Sequence, residues 1–347
     1  MFNYNWKKTD LVIDTPYKAF SCFSGGGGSS FGYKLNGIDV IGNCELDEDM
    51  NITYLNNHTP LFNFNCKVSD LIEPDIKLPP ELYELDILDG SPPCSAFSMA
   101  GLRERVWGKK KKFTEGQEEQ VLDELFFDFI ELAYKLKPKV VISENVSGIM
   151  KGNAKKYVNR IINHFDEIGY CTRVLLCDAQ DLGVPQVRKR VIFISVRNDI
   201  ANQINCVNIL GGLKFNIKTV GYKIPYKDIR DKDAPEKPNK EKYIHYTYWK
   251  DTKLGDNFAA KFGTSFSNYR VDPELPLPTI AATSSGLYDC YKFRSLTTEE
   301  IVLASSFPTD YNFTNKSAKY ICGMSVPPVM MAHIIKHIKD QILDKLC

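Results

Sequence analysis

The sequence predicts an α/β protein with a large domain on a mostly parallel sheet and a second, smaller irregular domain. Three observations carry this prediction. From residue 1 to about 196, short apolar runs alternate with amphipathic stretches, the pattern of βαβ units. A glycine-rich segment follows the first apolar run, where such folds place a ligand-binding turn. After Arg197 the periodicity weakens and Asn, Lys, Tyr and Pro dominate until an amphipathic helix closes the chain. With 347 residues, 43% of them hydrophobic, a large core is within reach.

In chain order, strands are expected at Lys18–Phe23, Ile38–Cys44, Leu85–Leu88, Val140–Ser143, Cys171–Cys177 and Val191–Val196. Helices are expected at Ser30–Asn36, Glu48–Asn57, Gln120–Lys137 and Ala154–Ile168. In the third helix Leu122, Leu125, Phe126, Phe129, Leu132 and Ala133 recur at helical spacing, which marks them as core. Asp231-Lys232-Asp233-Ala234-Pro235 reads as a loop, and Leu296-Thr297-Thr298-Glu299-Glu300 as a capped helix start. Val329–Leu346 is the closing helix. The large domain is thus expected over 1–196 plus 320–347 and the smaller one over 197–319, its most irregular part lying at about 198–290.

A formal net charge of +1 singles out no partner by global charge. Positive charge is local: between Arg103 and Lys112 six basic residues face one acid, Glu104. Ten cysteines are scattered without a Cys-x-x-Cys pair, so neither a metal site nor a disulfide framework is expected. A reduced, cytoplasmic compartment fits that usage. Met1–Asp10 has no apolar signal region and no uninterrupted run has membrane-spanning length, so no membrane partner is expected.

Phe23-Ser24-Gly25-Gly26-Gly27-Gly28-Ser29-Ser30 links the first strand to the first helix, where glycines let backbone approach a ligand. A dinucleotide fingerprint needs Gly at i, i+2 and i+5, and neither Gly25-Gly27-Ser30 nor Gly26-Gly28-Phe31 completes it. Glu45 ends the second strand twenty residues past Gly25, placed to accept hydrogen bonds from ribose hydroxyls. Asp70 has the chemistry to accept from an adenine amine. A nucleoside site without a pyrophosphate clamp suits S-adenosyl-L-methionine.

A second constellation is reactive. Leu85-Asp86-Ile87-Leu88-Asp89-Gly90-Ser91-Pro92-Pro93-Cys94 runs an apolar strand into two prolines that stiffen the backbone around one thiol. Its small polar neighbours argue against a packed core and for a nucleophile. Val140-Val141-Ile142-Ser143-Glu144-Asn145-Val146 is another buried strand ending in a carboxylate suited to holding or delivering a proton. In Gln186-Val187-Arg188-Lys189-Arg190, alternation puts Gln186, Arg188 and Arg190 on one face, and guanidinium forks suit a carbonyl, carboxylate or phosphate.

In this order, Phe23-Ser24-Gly25-Gly26-Gly27, Glu45, Pro92-Pro93-Cys94, Glu144-Asn145-Val146, Gln186-x-Arg188-x-Arg190, Arg294-x-Leu296-Thr297 with Phe307-Pro308, and Gly323-Met324-Ser325-Val326-Pro327-Pro328 resemble the motif set of DNA (cytosine-5)-methyltransferases. The resemblance spans about residues 18–340. It implies a Rossmann-like, mixed sheet of the S-adenosylmethionine-dependent methyltransferase type, and a target-recognition region at about 198–290. It implies Cys94 as the nucleophile on cytosine C6, Glu144 on the ring N3 and exocyclic amine, and Arg188 and Arg190 as orienting groups. On the cofactor side it implies Phe23 against adenine, with Gly25, Gly26, Gly28, Glu45, Leu46, Asp70, Leu71, Pro93, Leu125 and Ser325 around the ligand. Double-stranded DNA would be contacted by Ser95, Arg103, Arg105, Lys109 and Lys110 near the nucleophile, and by Gln186 and Arg270. The resemblance is compatible with a monomer and with a cognate restriction endonuclease acting separately.

The chain departs from the family pattern in three places. Ser95 follows the nucleophile where Gln is usual, Met324 stands where Asn is usual, and the segment after Cys94 is longer than in compact bacterial members. An RNA cytosine-5 methyltransferase shares this motif set, but its Cys-Phe-Thr signature is missing here. An inert DNA-binding regulator on the same scaffold would be expected to lose Cys94 or Glu144, and both are present.

Overall fold

The computed structural model describes residues 2–93, 124–152, 154–208, 211–259, 267–283 and 286–346. The elements of the first half are β1 (Lys18–Cys22), α1 (Gly28–Lys34), β2 (Asp39–Cys44), α2 (Glu48–Leu55), β3 (Phe62–Phe64), α3 (Val68–Ile72), β4 (Ile87–Gly90), α4 (Leu125–Leu136), β5 (Val140–Val146), α5 (Ala154–Glu167), β6 (Tyr170–Asp178), β7 (Lys189–Arg197) and α6 (Asn198–Gln203). They are followed by α7 (Ile244–Lys250), β8 (Asn268–Arg270), β9 (Gly286–Tyr288), α8 (Thr298–Ala304), α9 (Ala318–Met324) and α10 (Pro328–Gln341). The sheet has seven strands in the order β3-β2-β1-β4-β5-β7-β6. Its pairs from β3 to β5 are parallel, whereas β7 lies antiparallel against β5.

The chain forms two compact units. One comprises residues 11–177, 189–218 and 331–347, and the other residues 1–10, 178–188 and 219–330. Residues 197–218 therefore pack with the sheet. Physically, Lys214 N–H reaches the Cys206 carbonyl and Cys171 Sγ reaches the Gly211 carbonyl, tying this segment to β6.

Within the sheet unit, strand alternation separates two faces. Phe20, Leu88, Val141, Val191 and Phe193 bury one face in a cluster with Val68 and Leu71 of α3, Phe126, Phe129, Ile130, Leu132 and Ala133 of α4, and Tyr157, Ile161 and Phe165 of α5. Asp89, at an alternate position, instead accepts from Ser21 of β1 and from Ser29 and Tyr33 of α1. The closing helix packs here too. A Cβ on Gly32 of α1 would stand 2.5 Å from Met331 Cβ of α10, so only glycine permits that approach.

The other unit is irregular among its described residues. It has one two-stranded parallel ribbon, β8–β9, and an aromatic cluster of Trp249, Phe258 and Phe293. α8 starts as the sequence predicts: Thr297 Oγ1 accepts from Glu300 N, while the Glu300 carboxylate accepts from Thr297 N. Although no membrane-length run is expected, Ala318–Lys345 reaches that length and hydropathy; 72% of its apolar window is buried, so α9 and α10 are core helices.

Candidate active site

In the sheet unit β1, β2, β4 and β5 run parallel, so their carboxyl ends share one edge, and antiparallel β7 brings its first residues to that edge. From β1 the chain winds to β2 and β3 on one side and to β4 and β5 on the other. The reversal between β1 and β4 is where open α/β sheets hold ligands.

The segment after β1 is wound tightly. Phe23, Gly25 and Gly27 have φ of 51°, 50° and 80°, the left-handed region. A Cβ on Gly27 would also fall 2.1 Å from His58 Nε2. The half-buried Phe23 ring lies 6.4 Å from that of Phe129. Glu45 is part of this cradle: its Oε2 accepts from Gly25 N at 2.7 Å and its Oε1 from Asp47 N at 2.9 Å. Burial outweighs these two amides and pushes its carboxyl up to about 7. A partly desolvated carboxylate with spare lone pairs, beside a glycine cradle, fits the ribose hydroxyls of a nucleoside.

The other expected cofactor residues are spread along this edge and beyond it. Gly26 and Gly28 are buried in the cradle, Leu46 is half-buried beside Glu45, and Leu71 and Leu125 are buried. Asp70 is exposed and its Oδ2 accepts from Lys67 N at the start of α3. Lys135 of α4 caps the other end of α3 by donating to the carbonyls of Leu71, Glu73 and Ile76. Ser325 belongs to the other unit, as the C-cap of α9.

Cys94, Ser95, Arg103, Arg105, Lys109 and Lys110 lie outside the described residues. The approach to them is described. A Cβ on Gly90 would meet Phe129 Cε2 at 2.5 Å, and the carbonyl of buried Pro92 accepts from Asn145 Nδ2 at 3.1 Å. The double proline is thereby fastened to the end of β5. The neighbouring residue, Glu144, is paired through Oε1 with Arg190 Nε at 2.7 Å, both side chains nearly buried. Asn145 lies in the Glu144-Asn145-Val146 motif, but its contact partner is 53 residues away, so no local signal marks its role.

Three arginine and glutamine expectations change. Gln186 and Arg188 do not share a strand face with Arg190, because β7 begins only at Lys189 and the preceding residues pair with 277–280. Arg188 is 2% exposed and donates to the carbonyls of Ile280 and Gly323 within the irregular unit. Gln186, expected at DNA, is also buried; its amide donates to Ala304 O and Ser305 Oγ and accepts from Ile280 N. Arg270, expected to meet a base edge, spends its guanidinium on carbonyls of Cys290, Trp249, Lys250 and Thr252 and lies 4.4 Å over the Trp249 ring. It caps α7.

Fold and site define a class first: a Rossmann-like methyltransferase dependent on S-adenosyl-L-methionine. The family model for C-5 cytosine-specific DNA methylase matches residues 17–340, and the chain belongs to that family. It is an enzyme that methylates cytosine in DNA at C5, with S-adenosyl-L-methionine as cofactor. It is similar to the Type II methyltransferase M.FnuDI of Fusobacterium nucleatum, at 27% identity over 94% of this chain and 96% of that one. M.Eco47II of Escherichia coli is also 27% identical, over 100% and 84%. With M.NgoPII of Neisseria gonorrhoeae identity reaches 31%, but over 53% of this chain and 49% of the relative. Among solved structures, a DNA modification methyltransferase encoded within an Escherichia coli prophage superposes with a TM-score of 0.67, at 20% identity over 94% and 99% of the two chains. A Spodoptera frugiperda DNMT2 mutant gives 0.62, at 18% identity over 93% and 99%.

Proposed function

We propose that the enzyme acts on a cytosine flipped out of duplex DNA and that Cys94 is its covalent nucleophile. The supporting observation is the Glu144–Arg190 pair at 2.7 Å, set at the strand edge where Asn145 fastens Pro92, two residues before the thiol. C5 of cytosine is a weak nucleophile and lies inaccessible in a stacked helix, so the base must leave the duplex. Addition of the Cys94 thiolate to C6 pushes electron density to C5. Glu144 bonds to N3 and the exocyclic amine, and Arg190 keeps that carboxylate oriented. Arg188, held by two backbone carbonyls, acts by bracing the segment that leads into Arg190. Phe23, Gly25, Gly26, Gly28, Glu45, Leu46, Asp70, Leu71, Pro93, Leu125 and Ser325 would hold S-adenosyl-L-methionine, which when bound would supply the electrophilic methyl group and leave as S-adenosylhomocysteine. Loss of the C5 proton then releases Cys94 as thiolate and restores the aromatic ring.

Around that site, Ser95, Arg103, Arg105, Lys109 and Lys110 bind the DNA backbone, which supplies affinity without sequence information. The segment at about 198–290 reads the target. The enzyme works as a cytoplasmic monomer without a metal, and a cognate restriction endonuclease acts separately from it. Bisulfite sequencing of DNA from cells expressing the protein tests the reading: one recurring methylated site is expected, and Cys94→Ser abolishes it. Methylation of transfer RNA but not duplex DNA, or full activity of Cys94→Ser, would overturn it.

A further inference from the structure

Asp89 is a buried titratable group that the mechanism leaves unused. It sits at the third of the four residues of β4 and is 2% exposed. Its Oδ2 accepts from Ser21 Oγ of β1 at 2.9 Å and from Ser29 Oγ of α1 at 2.8 Å, and its Oδ1 accepts from Tyr33 OH at 2.9 Å. Ser29 and Tyr33 are four residues apart and so lie on one face of α1. Both donors therefore anchor the helix whose first residue, Gly28, closes the glycine cradle. Five residues past Asp89 the chain reaches Cys94.

We propose that Asp89 is a positioning residue that fixes the spacing between the cofactor cradle and the nucleophile strand, through Ser21, Ser29 and Tyr33. The placement matters because β1 and β4 flank the reversal of strand order and pair in parallel with Ser21 opposite Asp89, so the bonds from Ser29 and Tyr33 tie the helix behind the cradle to that same register. An apolar side chain would satisfy a buried strand position at lower desolvation cost. A carboxylate accepting three hydroxyls specifies distance and direction instead. Burial pushes its carboxyl up to about 6 against the pull of Ser29, Ser21 and Tyr33, and Coulombic repulsion from Glu144 adds to the rise.

This inference rests on the proposed roles of the cradle and Cys94, so its test separates the two. Binding of S-adenosyl-L-methionine to the free protein is measured by calorimetry, and covalent capture by a duplex containing 5-fluorocytosine at the methylated site is timed with cofactor present. Asp89→Asn keeps the volume but can accept at one oxygen only. It is expected to weaken cofactor binding about tenfold and to slow capture by at least as much, raising KM for the cofactor while KM for DNA stays constant. Ser29→Ala should reproduce part of the loss and Ser29→Thr, which keeps the hydroxyl, should restore it. If Asp89→Asn and Ser29→Ala lower the unfolding midpoint but leave cofactor affinity and capture at wild-type values, Asp89 is merely structural and the inference falls. Failure of the wild-type protein to be captured would instead overturn the role of Cys94. Should Asp89→Asn not fold, Ser29→Ala and Tyr33→Phe, which remove a single donor each, carry the same test.

Discussion

Asp89 and Asp289 are both buried carboxylates, one in each compact unit, yet their surroundings treat charge in opposite ways. Asp89 has three hydroxyl donors and, among the described residues, no ion-pair partner, and burial pushes its carboxyl up to about 6. Asp289 is buried as deeply, but Arg230 at 2.6 Å, the amides of Lys292 and Tyr291, and Arg294 outweigh that burial and hold it below the ordinary value. Arg294 also grips Glu300 through two bonds of 2.8 Å, and Tyr226 donates to both acids. The irregular unit has few regular hydrogen-bond ladders, so a neutralised ionic cluster joins its loops. The sheet unit is already held by strands and helices, and its carboxylates Glu45 and Asp89, without an ion pair among the described residues, are the ones proposed to hold the ligand and to set the spacing.

The sharpest way to break this comparison is at the edge of the sheet. Glu144→Gln should lower kcat by about a hundred- to ten-thousand-fold, the usual worth of a positioned acid or base, while the unfolding midpoint stays close to wild type. Steady-state methyl transfer and a thermal melt on one preparation check both halves.

In the irregular unit the balance should invert. Arg294→Leu strands Glu300 and part of Asp289 without their cation, and such a loss costs about 3–5 kcal/mol. Urea unfolding should show that loss, whereas calorimetric binding of S-adenosyl-L-methionine to the folded fraction is expected to hold.

Gly27→Ala is smaller and mixed. The left-handed backbone alone costs about 1–2 kcal/mol for an L side chain, and the added methyl must displace His58. Reduced stability together with weaker cofactor binding is expected; unchanged binding would detach the cradle from the ligand.

The smallest effect is in pH. Because the folded Glu45 carboxyl is raised above its unfolded value, the folded protein holds the extra proton, and the free protein loses stability as pH rises from about 4.5 through 7. Asp89 adds a similar loss between about 4 and 6. Ribose hydroxyls need the ionised form, so cofactor affinity should move the other way, rising about tenfold from pH 6 to 8. Calorimetry in buffers of different ionisation enthalpy should detect proton release on binding; its absence near pH 6.5 would remove Glu45 from the ribose site.

Much of the site was legible because its residues sit at ends of strands that the local pattern reveals. Phe23, Glu45, Pro92 and Glu144 each follow an apolar run, and parallel pairing collects such ends at one edge without further instruction. β3 escaped because Phe62-Asn63-Phe64 is too short to show a period. Gln186, Arg188 and Arg270 misled for a related reason: a polar side chain in an irregular stretch looks the same whether it faces DNA or a carbonyl elsewhere in the chain. The carbonyls that hold Arg188 are 92 and 135 residues away.

The order of motifs and the alternation of apolar runs therefore pointed to the family chemistry and to most strands of the sheet, since an apolar run and the polar residue that ends it are local in the chain. Tertiary structure alone decided that β7 enters the sheet antiparallel beside β5, so that Arg190 meets Glu144. It alone decided that Gln186, Arg188 and Arg270 turn inward, and that Asp89 receives hydroxyls from β1 and α1. Hydrogen bonds of a few ångströms between residues far apart in the chain leave no periodic trace in the sequence, because neither partner constrains the residues beside the other.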